Sequence, residues 1–94
     1  MWPDRRIIDL IGIEYPIVQA PMAGVAKADL AASVSEAGGL GSLACALLNN
    51  EQARSEISII RQRTNKPINV NFFCHAQPVP DERREAAWRA RLTR

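Results

Sequence analysis

The stretch PIVQAPMAG, residues 16–24, decides the fold of this chain. Its first half, residues 16–20, is a short apolar run that ends at Pro21, and a turn of small residues follows at 22–26. A short apolar run between turn-forming residues is typical of a buried parallel strand. We therefore predict a strand over residues 16–20, whose carboxyl end opens onto the turn.

Glycines end the helices that we predict on both sides of this strand. A short helix around residues 4–10 stops at Gly12, and a second helix over 27–37 stops at Gly38 and Gly39. Glycine ends helices because it adopts the left-handed conformation at little cost. The second helix has one apolar stripe at helical spacing, formed by Leu30, Ala31 and Val34.

Two further strands are predicted from apolar runs at 40–45 and 68–73. The first of them is interrupted only by Gly41 and Ser42. Small residues within a strand indicate the close approach of another backbone or of a ligand. We expect such an approach at this point of the second strand.

The third and fourth helices carry capping signals. Asn49 followed by Gln52 resembles a capping box, and the helix it opens extends to about Arg63 with an apolar stripe at Ala53, Ile57 and Ile60. After a proline-rich loop at 75–80, Asp81 is placed to cap a last helix that contains a favourable Glu85–Arg89 pair. No stop signal follows, so we expect this helix to extend to Arg94.

Alternating strands and helices predict an α/β fold with a parallel sheet and right-handed crossovers. The strand starts recur about every 25 residues, and a complete barrel of eight strand–helix units needs about 250 residues. Residues 1–94 therefore read as one incomplete domain, the amino-terminal βαβαβ part of a (β/α)8 (TIM) barrel. Its first and third strands would present unpaired edges.

Composition excludes several classes of protein. The chain has 94 residues, a net charge of +2 and 47% hydrophobic residues, which is too apolar for a disordered segment. The arginines after Arg83 lack interleaved aromatic residues, so we read them as a solvated helix face and expect no nucleic acid partner. No apolar run approaches membrane-spanning length. Two cysteines without a CxxC motif or an export signal predict free thiols and a cytoplasmic protein.

The motifs together resemble one enzyme family. PIVQAPMAGV at 16–25 is similar to the first-strand motif of the nitronate monooxygenases, once called 2-nitropropane dioxygenases. LAASVSEAGGLGSL at 30–43 resembles the first helix and second strand of that family, and KP at 66–67 with NVNFF at 69–73 resembles its third strand. The resemblance covers nearly the whole chain, although AGGLG is shared by several FMN barrels.

The resemblance implies a TIM barrel that holds FMN at the carboxyl ends of its strands. By that resemblance, Ala20, Pro21, Met22 and Ala23 lie beneath the flavin ring, and Asn71 hydrogen-bonds the cofactor. General physics agrees, because active sites of these barrels lie at the carboxyl ends of strands and a flavin needs an apolar floor with a few directed donors.

Plainer interpretations exist for each of these residues. Met22 could fill the core, and Asn71 could satisfy loop backbone at the end of its strand. Asn69 is interpreted as a polar residue of the barrel interior. His75 is interpreted as a loop or mouth-lining residue, because the catalytic histidine of the family lies in a later glycine-rich segment, beyond Arg94.

Two further patterns are assigned no function. Cys45 and Cys74 follow neighbouring strands and are interpreted as buried, inert thiols. Gly39, Gly41 and Ala44 match the spacing of a dinucleotide-binding fingerprint, but that fingerprint lies between a strand and a following helix. Here the predicted order is the reverse, so the match carries no site.

The leading functional hypothesis is an FMN-dependent nitronate monooxygenase that oxidises alkyl nitronates with O2 to carbonyl compounds and nitrite. Nitronate or nitroalkane and O2 are then the small-molecule partners, and this chain carries only part of the FMN site and no catalytic residue. One alternative is a flavin-dependent enoyl reductase of the related bacterial type. Another alternative, from a different class, is a truncated, non-catalytic fragment.

Overall fold

The computed structural model describes residues 2–93 and contains four helices and two paired strands within that range. In chain order the elements are α1 (Arg6–Ile11), α2 (Ala28–Glu36), β1 (Gly41–Ala44), α3 (Asn50–Arg63), β2 (Ile68–Asn71) and α4 (Glu82–Leu92). Within residues 2–93, no helix combines the length and the apolar character needed to cross a membrane.

The sheet is parallel, as predicted, with β1 and β2 in a register that pairs Gly41 with Ile68 and Ala44 with Asn71. The predicted first strand over 16–20 is wrong in its extent, because it is reduced to a single parallel bridge between Val18 and Leu40. Two backbone hydrogen bonds of 2.9 Å hold this bridge, from Leu40 N to Ile17 O and from Gln19 N to Leu40 O. Residues 17–19 thus occupy the third position of the sheet, beside β1.

Proline explains why the bridge is so short. Pro16 and Pro21 bracket the bridge, and neither has an N–H to donate to a ladder. The predicted strand over 68–73 is likewise shorter, because pairing ends at Asn71 and leaves Phe72 and Phe73 exposed.

Helix α2 packs on β1 at very short range through small residues. A Cβ added to Gly41 would lie 1.9 Å from the carbonyl oxygen of Ala31. This is the backbone approach that the sequence predicted at Gly41. The apolar stripe predicted for α2 is only partly right. The buried side of the helix consists of small residues, namely Ala28, Ala31, Ala32 and Ser35. Of the predicted stripe, Ala31 is buried, whereas Leu30 and Val34 are only half-buried.

Two apolar clusters form the core of the described residues. The larger lies between α2, β1 and α3 and is built from Ala28, Ala31, Ala32, Leu43, Cys45 and Ile60. Ala53 and Ile57 pack against it, which confirms the predicted stripe of α3. The smaller cluster joins Ile8 of α1 to Ile13 and Leu40 at the amino ends of the strands.

Local capping signals are confirmed. Gly12 and Gly38 have φ angles of 81° and 106° and follow α1 and α2. The Asn49 side chain accepts a hydrogen bond from Gln52 N at 2.8 Å, and the Gln52 side chain accepts one from Asn49 N at 3.0 Å, so the capping box is complete. Asp81 accepts a hydrogen bond from Arg84 N at 3.1 Å and caps α4.

Helix α4 stands apart from the core. It has no buried residue and packs on none of the other elements found between residues 2 and 93. The predicted Glu85–Arg89 ion pair is present at 3.8 Å. The helix ends at Leu92, with the Thr93 hydroxyl donating to Arg89 O at 3.1 Å, and Arg94 lies outside the described residues.

Candidate functional site

The carboxyl ends of the parallel strands bring the predicted site residues to one edge of the molecule. β1 ends at Ala44, β2 ends at Asn71, and the bridge at Val18 is followed by residues 20–24. Since the three segments run in the same direction, residues that follow each of them share that edge. Ligand sites of parallel α/β sheets lie at this edge.

Residues 20–24 form a mostly exposed segment, which includes the small residues Ala20, Ala23 and Gly24 and leads into a tight turn. Met22 O accepts hydrogen bonds from Ala26 N at 2.6 Å and from Val25 N at 3.2 Å. Gly24 has a φ of 80°, and a Cβ at that position would meet nothing within 4 Å. At Gly24 the backbone therefore borders open space.

Met22 belongs to neither core cluster, and 42% of it is exposed. The interpretation of Met22 as a core-filling residue is therefore wrong for the residues described. Pro21 is half-buried, whereas Ala20 and Ala23 are exposed.

Asn71 is the last residue of β2 and is half-buried. Its backbone oxygen accepts a hydrogen bond from Cys45 N at 2.9 Å, which continues the pairing of the two strands by one residue. The structure thus places Asn71 at the same edge as residues 20–23.

A polar connection runs across the three segments of the sheet, and sequence reasoning missed most of it. The side chain of Gln19 accepts from Ser42 N at 2.8 Å and donates to Ser42 O at 3.2 Å. On the other side, Asn69 Nδ2 donates to Ser42 Oγ at 3.1 Å. Asn69 therefore contacts the neighbouring strand β1 through its side chain, and its place in a barrel interior stays a prediction. In the sequence, the only signal for this connection is Gln19, a polar residue within the otherwise apolar run at 16–20.

Helix α2 begins beside this edge without a side-chain cap of its own. The backbone N–H of Ala28 donates instead to Glu56 Oε2 of α3 at 2.8 Å, which satisfies one free donor of the first turn. A cavity of about 360 Å³ lies between this helix start and α3, with Gly24, Ala44 and Glu56 in its lining.

The two cysteines differ, and both are free. Cys45 is buried as expected, and burial, with the nearby Glu56 carboxylate adding to it, raises the pKa of its thiol. Cys74 is exposed, so its interpretation as a buried thiol is wrong. It follows β2 in the segment where Phe73 and His75 place their ring centroids 5.9 Å apart.

His75 lies in the loop after β2, where it is exposed. No cluster of three or more histidine, cysteine, aspartate or glutamate residues that could hold a metal ion occurs among residues 2–93.

Comparison with known proteins finds relatives both by sequence and among solved structures. Nitronate monooxygenase from Pseudomonas aeruginosa is 51% identical over 83 residues, which are 88% of this chain and 24% of that protein. The structure of FabK from Thermotoga maritima matches with a TM-score of 0.68 and 45% identity over 70% of this chain and 21% of the other. The structure of nitroalkane oxidase from Streptomyces ansochromogenes matches with a TM-score of 0.70 and 43% identity over 78% of this chain and 21% of the other.

The chain spans about a quarter of the length of the curated relatives it matches. The sequence model of one family, described as nitronate monooxygenase, matches residues 4–94. That match includes the strand bridge, both paired strands and the exposed segment at 20–24. With a relative of the same description half identical to it, this chain belongs to the nitronate monooxygenase family.

Proposed function

We propose that this chain forms the first part of an FMN-binding (β/α)8 barrel whose full protein oxidises alkyl nitronates with O2 to carbonyl compounds and nitrite. The observation that carries the proposal is the exposed segment at residues 20–24, placed at the carboxyl edge of a parallel sheet in a member of this family. A cytoplasmic location is part of the proposal, since both thiols are free.

The shape of the described residues supports an incomplete barrel domain over 1–94. Their radius of gyration is 18.2 Å, whereas a compact domain of this length has about 12 Å. β2 is half-buried along its whole length and pairs with β1 on one side, so its outer edge is open to further elements. Additional strand–helix units beside β2 would cover that edge.

Residues 20–24 fit a flavin ring. An isoalloxazine needs a flat, largely apolar surface that its plane can approach closely. Ala20, Ala23 and Gly24 have little or no side chain, and the space beside Gly24 is open. Pro21 and Met22 add apolar surface, and we assign Ala20, Pro21, Met22 and Ala23 to the floor of the ring.

Asn71 is assigned as a hydrogen-bonding partner of the cofactor. It ends β2 at the same edge, and its backbone N–H and C=O are held by the sheet, so its side-chain amide is presented from a fixed base. The bound flavin supplies electron transfer from the nitronate to O2. The residues of this chain bind and orient it, and the base that handles the substrate proton is expected beyond Arg94.

A chimera tests the proposal. In the full-length Pseudomonas aeruginosa relative, the 83 aligned residues are replaced by those of this chain. We expect the purified chimera to retain FMN and to release nitrite from an alkyl nitronate under air. A folded chimera, verified by circular dichroism, that holds no flavin would contradict the proposal.

The second candidate is a flavin-dependent enoyl reductase. This candidate is supported by the structural match to FabK. The identity of 45% and the TM-score of 0.68 for FabK are close to the identity of 43% and the TM-score of 0.70 for nitroalkane oxidase. The full-length protein that contains this chain separates the two. Nitrite release without reduction of a 2-enoyl thioester by a nicotinamide cofactor supports the first candidate, and the opposite result supports the second.

The third possibility is a non-catalytic chain of 94 residues. Three segments cannot close a barrel, so we expect these residues alone neither to bind FMN tightly nor to release nitrite. Stoichiometric flavin and measurable nitrite from the isolated chain would overturn that expectation.

A further inference from the structure

We propose that Gln19 is the positioning residue for the flavin floor: its side-chain amide, and not a strand ladder, fixes residues 20–23 against β1. This inference rests on the proposed function, since it concerns how firmly that floor is held for FMN.

The first observation is that the Gln19 amide takes the place of a neighbouring strand. Ser42 N donates to Gln19 Oε1 at 2.8 Å, and Gln19 Nε2 donates to Ser42 O at 3.2 Å. In a sheet, the N–H and C=O of a residue such as Ser42 bond to backbone groups of the adjacent strand. Here the side-chain amide of Gln19 supplies both partners. Because Ser42 is fully buried, water does not take the place of that amide.

The second observation is that the same amide holds the next peptide of its own chain. Gln19 Nε2 donates a further hydrogen bond to Ala20 O at 2.8 Å. The amide nitrogen has two hydrogens, and both have carbonyl acceptors, while its oxygen accepts from an N–H. The opposite orientation of the amide would place oxygen against two carbonyls, so the contacts fix the amide in one orientation.

The third observation is that residues 20–23 have no ladder of their own. Backbone pairing stops at Gln19 N, which donates to the oxygen of Leu40, the residue before β1, and Pro21 has no N–H. Within residues 2–93, the hydrogen bonds that connect this segment to β1 are those of the Gln19 side chain. The path by which the chain leaves the sheet therefore depends on that side chain.

The position of the floor matters because a planar ring is bound through close contact over its whole face. A shift of about 1 Å in a positioning element is enough to impair a site. Loss of the Gln19 contacts should therefore loosen the bound ring. Because it also leaves the N–H and C=O of the fully buried Ser42 without partners, it should lower the urea midpoint of the apoprotein as well.

The test uses the chimera described above and the near-isosteric substitution Gln19→Glu. An ionised carboxylate keeps the acceptor for Ser42 N but has no hydrogen for Ser42 O or Ala20 O. We expect the dissociation constant for FMN, measured by titration of the apoprotein, to rise by about tenfold or more. The visible circular dichroism of the bound flavin, which reports the asymmetry of the contacts around the ring, should change as well.

A control variant separates positioning from general effects. Gln62→Glu adds the same charge at an exposed site on α3 and should leave both flavin readouts unchanged.

The second test variant is Gln19→Met, because the methionine side chain is similar in size to glutamine and carries no charge. We expect it to give a folded apoprotein with weakened FMN binding. An unchanged dissociation constant and an unchanged flavin spectrum in both Gln19 variants would overturn the inference. Loss of the folded apoprotein in both would make Gln19 a residue of the scaffold and would overturn it too.

The parent chimera distinguishes this inference from the proposed function. A folded parent that binds no FMN refutes the proposed function, and the inference about Gln19 falls with it. A parent that binds FMN, with Gln19 variants that bind it equally well and with the same spectrum, refutes the inference alone.

Discussion

The packed unit of α2, β1 and α3 and the carboxyl edge at residues 20–24 differ in what determines their sequence. In the packed unit, side-chain size is fixed by distance, as where Gly41 faces the Ala31 carbonyl. At the edge, small residues border open space, as Gly24 does. Glycine therefore has a different role in each region. In the packed unit it permits close contact within the chain, and at the edge it leaves room for a bound molecule.

The substitution Gly41→Ala should show the strongest dependence of the packed unit on size. The added Cβ would lie 1.9 Å from a backbone oxygen of α2, and backbone cannot move aside as a side chain does. We expect a loss of about 3 kcal/mol in the free energy of unfolding of the chimera, measured with urea.

Gly24→Ala is its matched control at the edge. The new methyl group meets no atom, so only the positive φ of 80° opposes it, and we expect a loss of about 1 kcal/mol. Equal losses at the two positions would remove the distinction between the regions.

Alkylation should distinguish the two regions through their thiols. Cys45 lies in the core and burial raises its pKa, so at neutral pH it has less reactive thiolate than an ordinary cysteine, whereas Cys74 is exposed. We expect iodoacetamide to modify Cys45 about a hundredfold more slowly than Cys74, because it must wait for local opening. Peptide mass spectrometry of the 94-residue chain measures both rates, and similar rates would show that the core is open.

The substitution Ser35→Ala tests a polar contact inside the packed unit. The buried Ser35 hydroxyl accepts from Gly41 N at 2.9 Å and donates to Pro67 O at 2.8 Å. Its removal leaves the Gly41 N–H without its partner, and we expect a loss of about 2 kcal/mol on urea denaturation. Ser33→Ala, at an exposed position of α2, is the control and should stay within about 0.5 kcal/mol of the parent; a larger change there would contradict the assignment.

The substitution Met22→Ala should have the smallest effect on stability. Met22 lies outside both core clusters, so we expect a change within about 0.5 kcal/mol in the free energy of unfolding. If it contacts the flavin ring, the dissociation constant for FMN should nevertheless rise roughly fivefold. Leu10→Ala, exposed on α1, is the apolar control. A loss of stability with unaltered FMN binding would assign Met22 to the scaffold.

The sequence predicted helix limits well because those limits depend on neighbouring residues. Gly12 and Gly38 adopt the expected positive φ angles, and Asn49 with Gln52 forms both bonds of its capping box. Such signals are complete within a few residues, so no knowledge of the tertiary structure is needed to read them.

Long-range features escaped the sequence for the opposite reason. The strand predicted at 16–20 depends on which groups of β1 it meets, and proline removed the donors that a longer ladder needs. The buried side of α2 is its small side because β1 approaches closely, which hydrophobic periodicity does not measure. The amide of Gln19 and its partner Ser42 are 23 positions apart, so no local pattern joins them.

The residues of the candidate site were predicted from the sequence resemblance, and the structure shows that they lie at one edge of the sheet. Residues 20–23 and Asn71 lie at the carboxyl ends of parallel segments, as the resemblance implied. Their contact with FMN stays a prediction. Cys74 was misjudged because pairing of β2 ends at Asn71, which leaves the residues after it uncovered.

The isolation of α4 has a thermodynamic consequence. With 11 residues and no packed face, this helix is shorter than the about 12–15 residues that a helix in water needs to persist without tertiary contacts. Its order in the 94-residue chain rests on the Asp81 cap and the Glu85–Arg89 pair. We therefore expect helix and core to melt as independent units, so that the heat denaturation of this chain has no single midpoint that describes both.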